Sequence, residues 1–102
     1  MHLTVTQAEQ GAQLEIEGDI DEPGAEELRK YFEQLDLAVL KDIALDFAQV
    51  THIGSAGIGK LLLFYKDVAA AGGRIRIVNV PPSLFHLFRE LNLHTLFTIV
   101  AA

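Results

Sequence analysis

Two periods of apolar and polar positions alternate along this chain. Near the start, Leu3 and Val5 alternate with Thr4 and Thr6, and Leu14 and Ile16 alternate with Gln13, Glu15 and Glu17. A period of two marks a strand with one face buried. Gly11 lies between the two runs, as a hairpin connection requires. Residues 19–24 then read as a turn, with Asp21 placed to cap a helix and Pro23 suited to its first turn. In the helix predicted next, Ala25, Leu28, Phe32, Leu35 and Val39 recur at steps of three and four, and Glu26, Glu27, Arg29, Lys30 and Glu33 stand on the other face.

The period returns to two at Ile43, Leu45 and Phe47, predicting a strand over 42–47. The segment 51–59, Thr-His-Ile-Gly-Ser-Ala-Gly-Ile-Gly, leads into a long helix to about Ala71, with Ile58, Leu61, Leu62, Tyr65, Val68 and Ala69 as one apolar stripe. Gly72-Gly73 ends it. Arg74 to Val80 reads as a strand, and Pro81-Pro82 breaks it. Ser83 is placed to cap a third helix with Leu84, Leu87, Phe88 and Leu91 inward, Asn92 suits a left-handed stop, and residues 96–100 form a candidate last strand. The order β-β-α-β-α-β-α-β predicts one α/β domain over residues 1–102: a mixed four- to five-stranded sheet, its later strands parallel, with three main helices.

Composition narrows the class of function. Half of the 102 residues are apolar, enough for one packed core and against disorder. The chain contains no cysteine, which excludes disulfides, thiolate chemistry and zinc–thiolate sites. With no visible signal peptide and no apolar run longer than the five residues Leu61 to Tyr65, the expected setting is a reducing, cytoplasmic one without membrane insertion. A net charge of −6 speaks against nucleic acid. Residues 1–50 hold twelve acids and three bases, residues 51–102 two acids and five bases. Glu15, Glu17, Asp19, Asp21, Glu22, Glu26 and Glu27 crowd into one stretch without a base among them, either a solvated surface or an acidic edge that steers a basic partner.

Candidate chemistry concentrates at residues 54–60, Gly-Ser-Ala-Gly-Ile-Gly-Lys. They satisfy most of a phosphate-binding loop, so a nucleotide-binding module is one reading, but Leu61 occupies the position of the magnesium-binding Ser or Thr. His2, His52, His86 and His94 share no metal-ligand spacing, so neither a metal nor a cofactor is expected. Ser55, His52 and Asp46 make a nucleophile triad only on paper, with no oxyanion hole indicated, and the expectation is no catalysis. Ser55 itself opens a helix. It has a plain role as a cap and a second one as a phosphorylation site, since a phosphate there would meet free amides and the positive end of the helix dipole. Gly54, Ala56 and Gly57 beside it would let another backbone approach. Further along, Leu63 falls off the apolar stripe among Ala56, Gly59, Lys60, Asp67 and Ala70, a large apolar side chain among small ones, as at an interface.

These residues resemble the STAS domains, specifically the bacterial anti-sigma factor antagonists. The resemblance covers nearly the whole chain. It rests on Gly18-Asp19-Ile20-Asp21, on Leu45-Asp46-Phe47 with Val50, on Ile53 to Gly59, on Gly72-Gly73 and on Leu91-Asn92-Leu93. It implies a central sheet with helices packed against one face. It also implies a switch in transcription regulation: the unphosphorylated antagonist docks an anti-sigma factor that is also a serine kinase, phosphorylation dissociates the pair, and a phosphatase resets it. By position the phosphorylated residue would be Ser55, and Asp21 would be the acidic residue beside the docking surface. Gly54 stands where the family usually has Asp. STAS domains also serve as non-switching subunits of transporters and lipid-transport complexes and as scaffolds of sensory complexes, the alternative that the resemblance leaves open.

Overall fold

A computed structural model describes residues 1–102. β1 (His2–Gln7) and β2 (Gly11–Ile20) form an antiparallel hairpin in which Leu3 lies opposite Ile16 and Val5 opposite Leu14. β2 runs past its period-two core at both ends, and Gly18, at φ +91°, a conformation that L side chains resist, stands at one of its two register shifts against β3. Asp21 then starts α1 (Glu22–Glu33). β3 (Asp42–Ile53), α2 (Ser55–Ala70), β4 (Arg74–Val80), α3 (Pro82–Glu90), a 3₁₀ turn at Leu93–Thr95 and β5 (Thr98–Ala101) follow.

The five strands lie in the order β1-β2-β3-β4-β5, with the first pairing antiparallel and the other three parallel. One face of the sheet carries the core: Leu14, Ile16, Ile43, Leu45, Phe47 and Ile77 are fully or almost fully buried. The helices cover this face, as in the edge-to-face contact of Phe88 from α3 with Phe47, ring centroids 5.8 Å apart. The other face presents Gln13, Glu15, Asp46 and Arg76, wholly or partly exposed. Asp42 there lies 3.5 Å from Arg76 and 3.9 Å from Arg74.

Several local expectations hold at the atomic level. The Asp21 carboxylate accepts from the Gly24 N–H at 2.8 Å, the predicted cap. Gly72, at φ +80°, and Asn92, at φ 58°, take the left-handed conformation that ends helices. Others are corrected. Residues 19–24 are not a turn: the change of direction is made at Asp21 alone, and Gly24 is buried inside α1. α1 stops at Glu33, so Val39 lies in the following loop and is 50% exposed. α3 is capped at Pro81 without any side-chain bond, not at Ser83, and Leu91 is exposed at its end.

α2 is rotated from its predicted stripe. Gly57, Leu61, Phe64 and Val68 are buried, Ile58 and Tyr65 pack at the margin of the core, and Leu62 and Ala69 face solvent. The reason lies in α1. Phe64 stacks on Phe32 with ring centroids 3.8 Å apart, and that pairing turns Phe64 rather than Leu62 inward. Tyr65 in turn meets Phe97 edge-on at 5.3 Å.

Candidate functional site at the carboxyl edge of the sheet

β2 and β3 end side by side, with Ile20 paired to Ile53. The next residue of each chain segment, Asp21 and Gly54, therefore begins a helix at the same edge. The two turns are stitched together by the Gly54 N–H, which donates to the Ile20 carbonyl at 3.1 Å. In open parallel sheets this carboxyl edge is where ligands and partners are met, because the loops there are free to vary while the strands stay rigid.

Gly54 is the N-cap of α2, in extended conformation (φ −90°, ψ 177°), and no side chain caps this helix. Its carbonyl accepts from the Ile58 N–H at 3.1 Å, the first helical bond. Ser55 is therefore the first helical residue and not the cap, which corrects the plainer of its two expected roles. Ser55 and Ala56 are exposed. The amides of Ser55, Ala56 and Gly57 precede the first helical bond and have no acceptor within the helix.

Gly57 does not open the surface to another backbone. A Cβ there would sit 2.8 Å from both Ile20 Cγ2 and Ile53 Cγ1, so this glycine lets α2 lie close on the ends of β2 and β3. Its spacing of four from Leu61 places it on the buried face, a signal the sequence carried. A Cβ on Gly54 would meet only the Ile20 carbonyl at 3.9 Å, and one on Gly59 would meet nothing within 4 Å. Ala56, Gly59 and Leu63 run up the outer side of α2, and Leu63 is 56% exposed.

Beside Leu63, α1 and α2 leave a groove of about 190 Å³, with Phe32, Phe64 and Leu37 as its apolar lining and Arg29, Glu33, Lys60 and Asp67 around it. Only the packing of α1 on α2 makes this groove, so sequence reasoning missed its α1 side. Arg29 bonds both Glu26 and Glu33. The Arg29 hydrogen bond is the main cause that holds the Glu26 carboxyl below its ordinary range, with smaller help from the charges of Arg29, Lys60 and Lys30. The Glu26 and Glu33 bonds in turn raise the Arg29 guanidinium above its ordinary value.

The remaining candidate chemistry is not brought together. Residues 55–60 are helical turns, so residues 54–60 offer no loop of free amides to wrap a phosphate chain. Asp46 and His52 are six residues apart on one strand, about 20 Å. The Asp46 side chain accepts from the Ala48 N–H at 2.9 Å, beside the irregularity where β3 slips against β2. No cluster of three His, Cys, Asp or Glu side chains could hold a metal, and no helix is long and apolar enough to cross a membrane.

Comparison with known proteins places these features in a wider setting. A family model for the STAS domain matches residues 2–102. The anti-sigma factor antagonist SpoIIAA in its unphosphorylated form superposes with a TM-score of 0.79 at 16% identity, over 99% of this chain and 89% of that one. An anti-sigma factor antagonist from Mycobacterium paratuberculosis gives 0.86 at 18% identity, over 99% and 86%. The murine anion transporter Slc26a9 gives 0.71 at 15% identity, over 83% of this chain and 14% of the transporter. At such identities the likeness is one of fold.

Proposed function

The chain belongs to the STAS domain family, and from that premise we propose that it is a cytoplasmic protein-docking switch of the anti-sigma factor antagonist kind, controlled by phosphorylation of Ser55. Its partner in this reading is an anti-sigma factor that is also a serine kinase, with a phosphatase to restore the free serine. The observation that carries the reading is the state of Ser55: exposed, first in α2, and relieved of capping duty by Gly54. A serine with no capping duty at a helix N-terminus is free to accept a phosphate, whose charge the free amides and helix dipole would favour, so the fold would survive modification. SpoIIAA, of the same fold, is known in both an unphosphorylated and a phosphorylated form.

The docking surface in this reading runs from Asp21 and Gly54 through Ser55 and Ala56 to Gly59 and Leu63. Phosphate at Ser55 would put up to about two negative charges into that contact, beside the acidic end of β2. A buried unpaired charge costs several kcal/mol, and about 1.4 kcal/mol is already tenfold in affinity. The protein has no reaction of its own in this reading. Binding of ATP or GTP with magnesium at low micromolar affinity, lost in Lys60→Ala, would instead favour the nucleotide module.

The test is a titration of wild type, Ser55→Ala and Ser55→Asp against the anti-sigma factor kinase of the host, with phosphopeptide mass spectrometry of the native protein. Ser55→Ala should bind like wild type, and Ser55→Asp should lose about tenfold or more. Equal affinity of Ser55→Asp and wild type, with no phosphate on Ser55, would leave the second reading, a constitutive STAS subunit or scaffold. The likeness to one part of Slc26a9 favours that alternative.

A further inference from the structure

The exposed side of α2 is self-complementary. Lys60, Leu63 and Asp67 follow one another on the same face, a base, an apolar residue and an acid. Lys60 and Asp67 are seven residues apart, two turns or about 10.5 Å along the axis, and Leu63 stands near the midpoint. Neither makes an ion pair, although the Lys60 charge is near enough to Glu26 to help lower its carboxyl: the ion pairs of the molecule join Arg29 to Glu26 and Glu33, and Asp42 to Arg74 and Arg76. Beyond them the face narrows to Ala56 and Gly59 at one end and Ala70 at the other, which lets a second helix come close. The neighbouring α1 charges, Arg29 with Glu26 and Glu33, are paired among themselves and leave one net acid on the Lys60 side of the face.

A base and an acid placed symmetrically about an apolar residue have a specific geometric consequence. When this helix packs antiparallel on a copy of itself about a two-fold axis near Leu63, Lys60 of one protomer faces Asp67 of its partner, and the same pair forms again on the other side of the axis. Each Leu63 then falls at the mouth of the other protomer's groove, over the apolar floor of Phe32, Leu37 and Phe64. Such an isologous contact closes on itself and builds no chain of copies. A parallel arrangement would set Lys60 against Lys60 and Asp67 against Asp67.

We propose that a second copy of this chain occupies the α1–α2 groove, in a two-fold symmetric homodimer held by antiparallel α2 helices. The proposal goes beyond the phosphorylation reading and stands without it; the two share only the surface. One face of a four-turn helix is smaller than a standard interface, so the dimer is weak and concentration-dependent. Because it covers Leu63 and Gly59, dimerisation and the docking of another protein through that face exclude one another.

Charge exchange tests this directly, since all the residues changed are on the surface. Sedimentation equilibrium is run on wild type, Lys60→Asp, Asp67→Lys, the double variant, and an equimolar mixture of the two single variants, with circular dichroism as a check of fold. Wild type should dimerise. Each single variant puts like charges opposite one another at both contacts and should raise the dissociation constant about tenfold or more. The double variant should dimerise again, and the mixture should form a heterodimer, because Lys60→Asp chains carry two acids where Asp67→Lys chains carry two bases. Wild type that stays monomeric up to about 1 mM, single variants that dimerise like wild type, or a mixture that fails to associate would each overturn the proposal. Failure here leaves the Ser55→Asp titration untouched, so the two ideas fall separately.

Discussion

Gly57 and Gly59 lie two residues apart on α2, and the same substitution at each should have unequal effects on stability. An added Cβ at Gly57 meets Ile20 Cγ2 and Ile53 Cγ1 at 2.8 Å and Ile53 Cδ1 at 3.1 Å. Ile20 and Ile53 are almost fully buried, so neither has room to withdraw, and the helix must move off the strand ends. Overpacking of this kind costs about 1–3 kcal/mol. At Gly59 the Cβ meets nothing, so Gly59→Ala keeps only the gain in helix propensity, about 0.8–1 kcal/mol. Gly57→Ala receives at most the same gain, which leaves it roughly neutral to 2 kcal/mol less stable than wild type. The two variants should therefore differ by about 1–3 kcal/mol, or at least about 4 °C in Tm for a domain of this size. Urea titration and thermal melting followed by circular dichroism measure both quantities. Gly57→Ala as stable as Gly59→Ala would refute the argument that close packing on the strand ends is what excludes a side chain at position 57.

Other consequences are as specific. Asp21→Ala should cost about 1 kcal/mol through loss of the cap to Gly24, while Asp21→Asn should keep most of that stability, so urea titration of the pair separates capping from charge. Phe64→Ala removes the ring stacked on Phe32 and should cost about 3–5 kcal/mol, whereas Leu62→Ala, on the exposed side, should cost well under half of that. The Glu26 carboxyl is held below its ordinary value of 4.5 by Arg29, so its ion pair contributes stability above that pH and loses it as the pH falls through the lowered value. An NMR titration should place the Glu26 midpoint below 4.5 in wild type and return it towards 4.5 in Arg29→Met.

How far the sequence alone reaches is visible in particular residues. The order of strands and helices is legible because period two and period 3.6 are backbone properties that each segment expresses without its neighbours. The Asp21 cap and the left-handed stops at Gly72 and Asn92 are legible for the same reason, since each involves only residues a few positions apart. Ser55 stands out as the residue that opens a helix after a strand, and the segment around it carries the family resemblance.

The rotation of α2 could not be read in this way. Leu61, Leu62, Leu63, Phe64 and Tyr65 are all apolar, so several faces satisfy the same periodicity. The choice falls to residues distant in sequence: Phe32 takes Phe64, Phe97 takes Tyr65, and Ile20 with Ile53 leave no free space for a Cβ at position 57. The same holds for the groove beside Leu63, whose walls come from two helices and the loop after α1, and for the capping of α2 by Gly54, whose amide donates to the Ile20 carbonyl of another strand. Local periodicity determines which elements form. Which face each one buries, and so which residues remain outside to meet a partner, is settled by packing between segments that the sequence keeps apart.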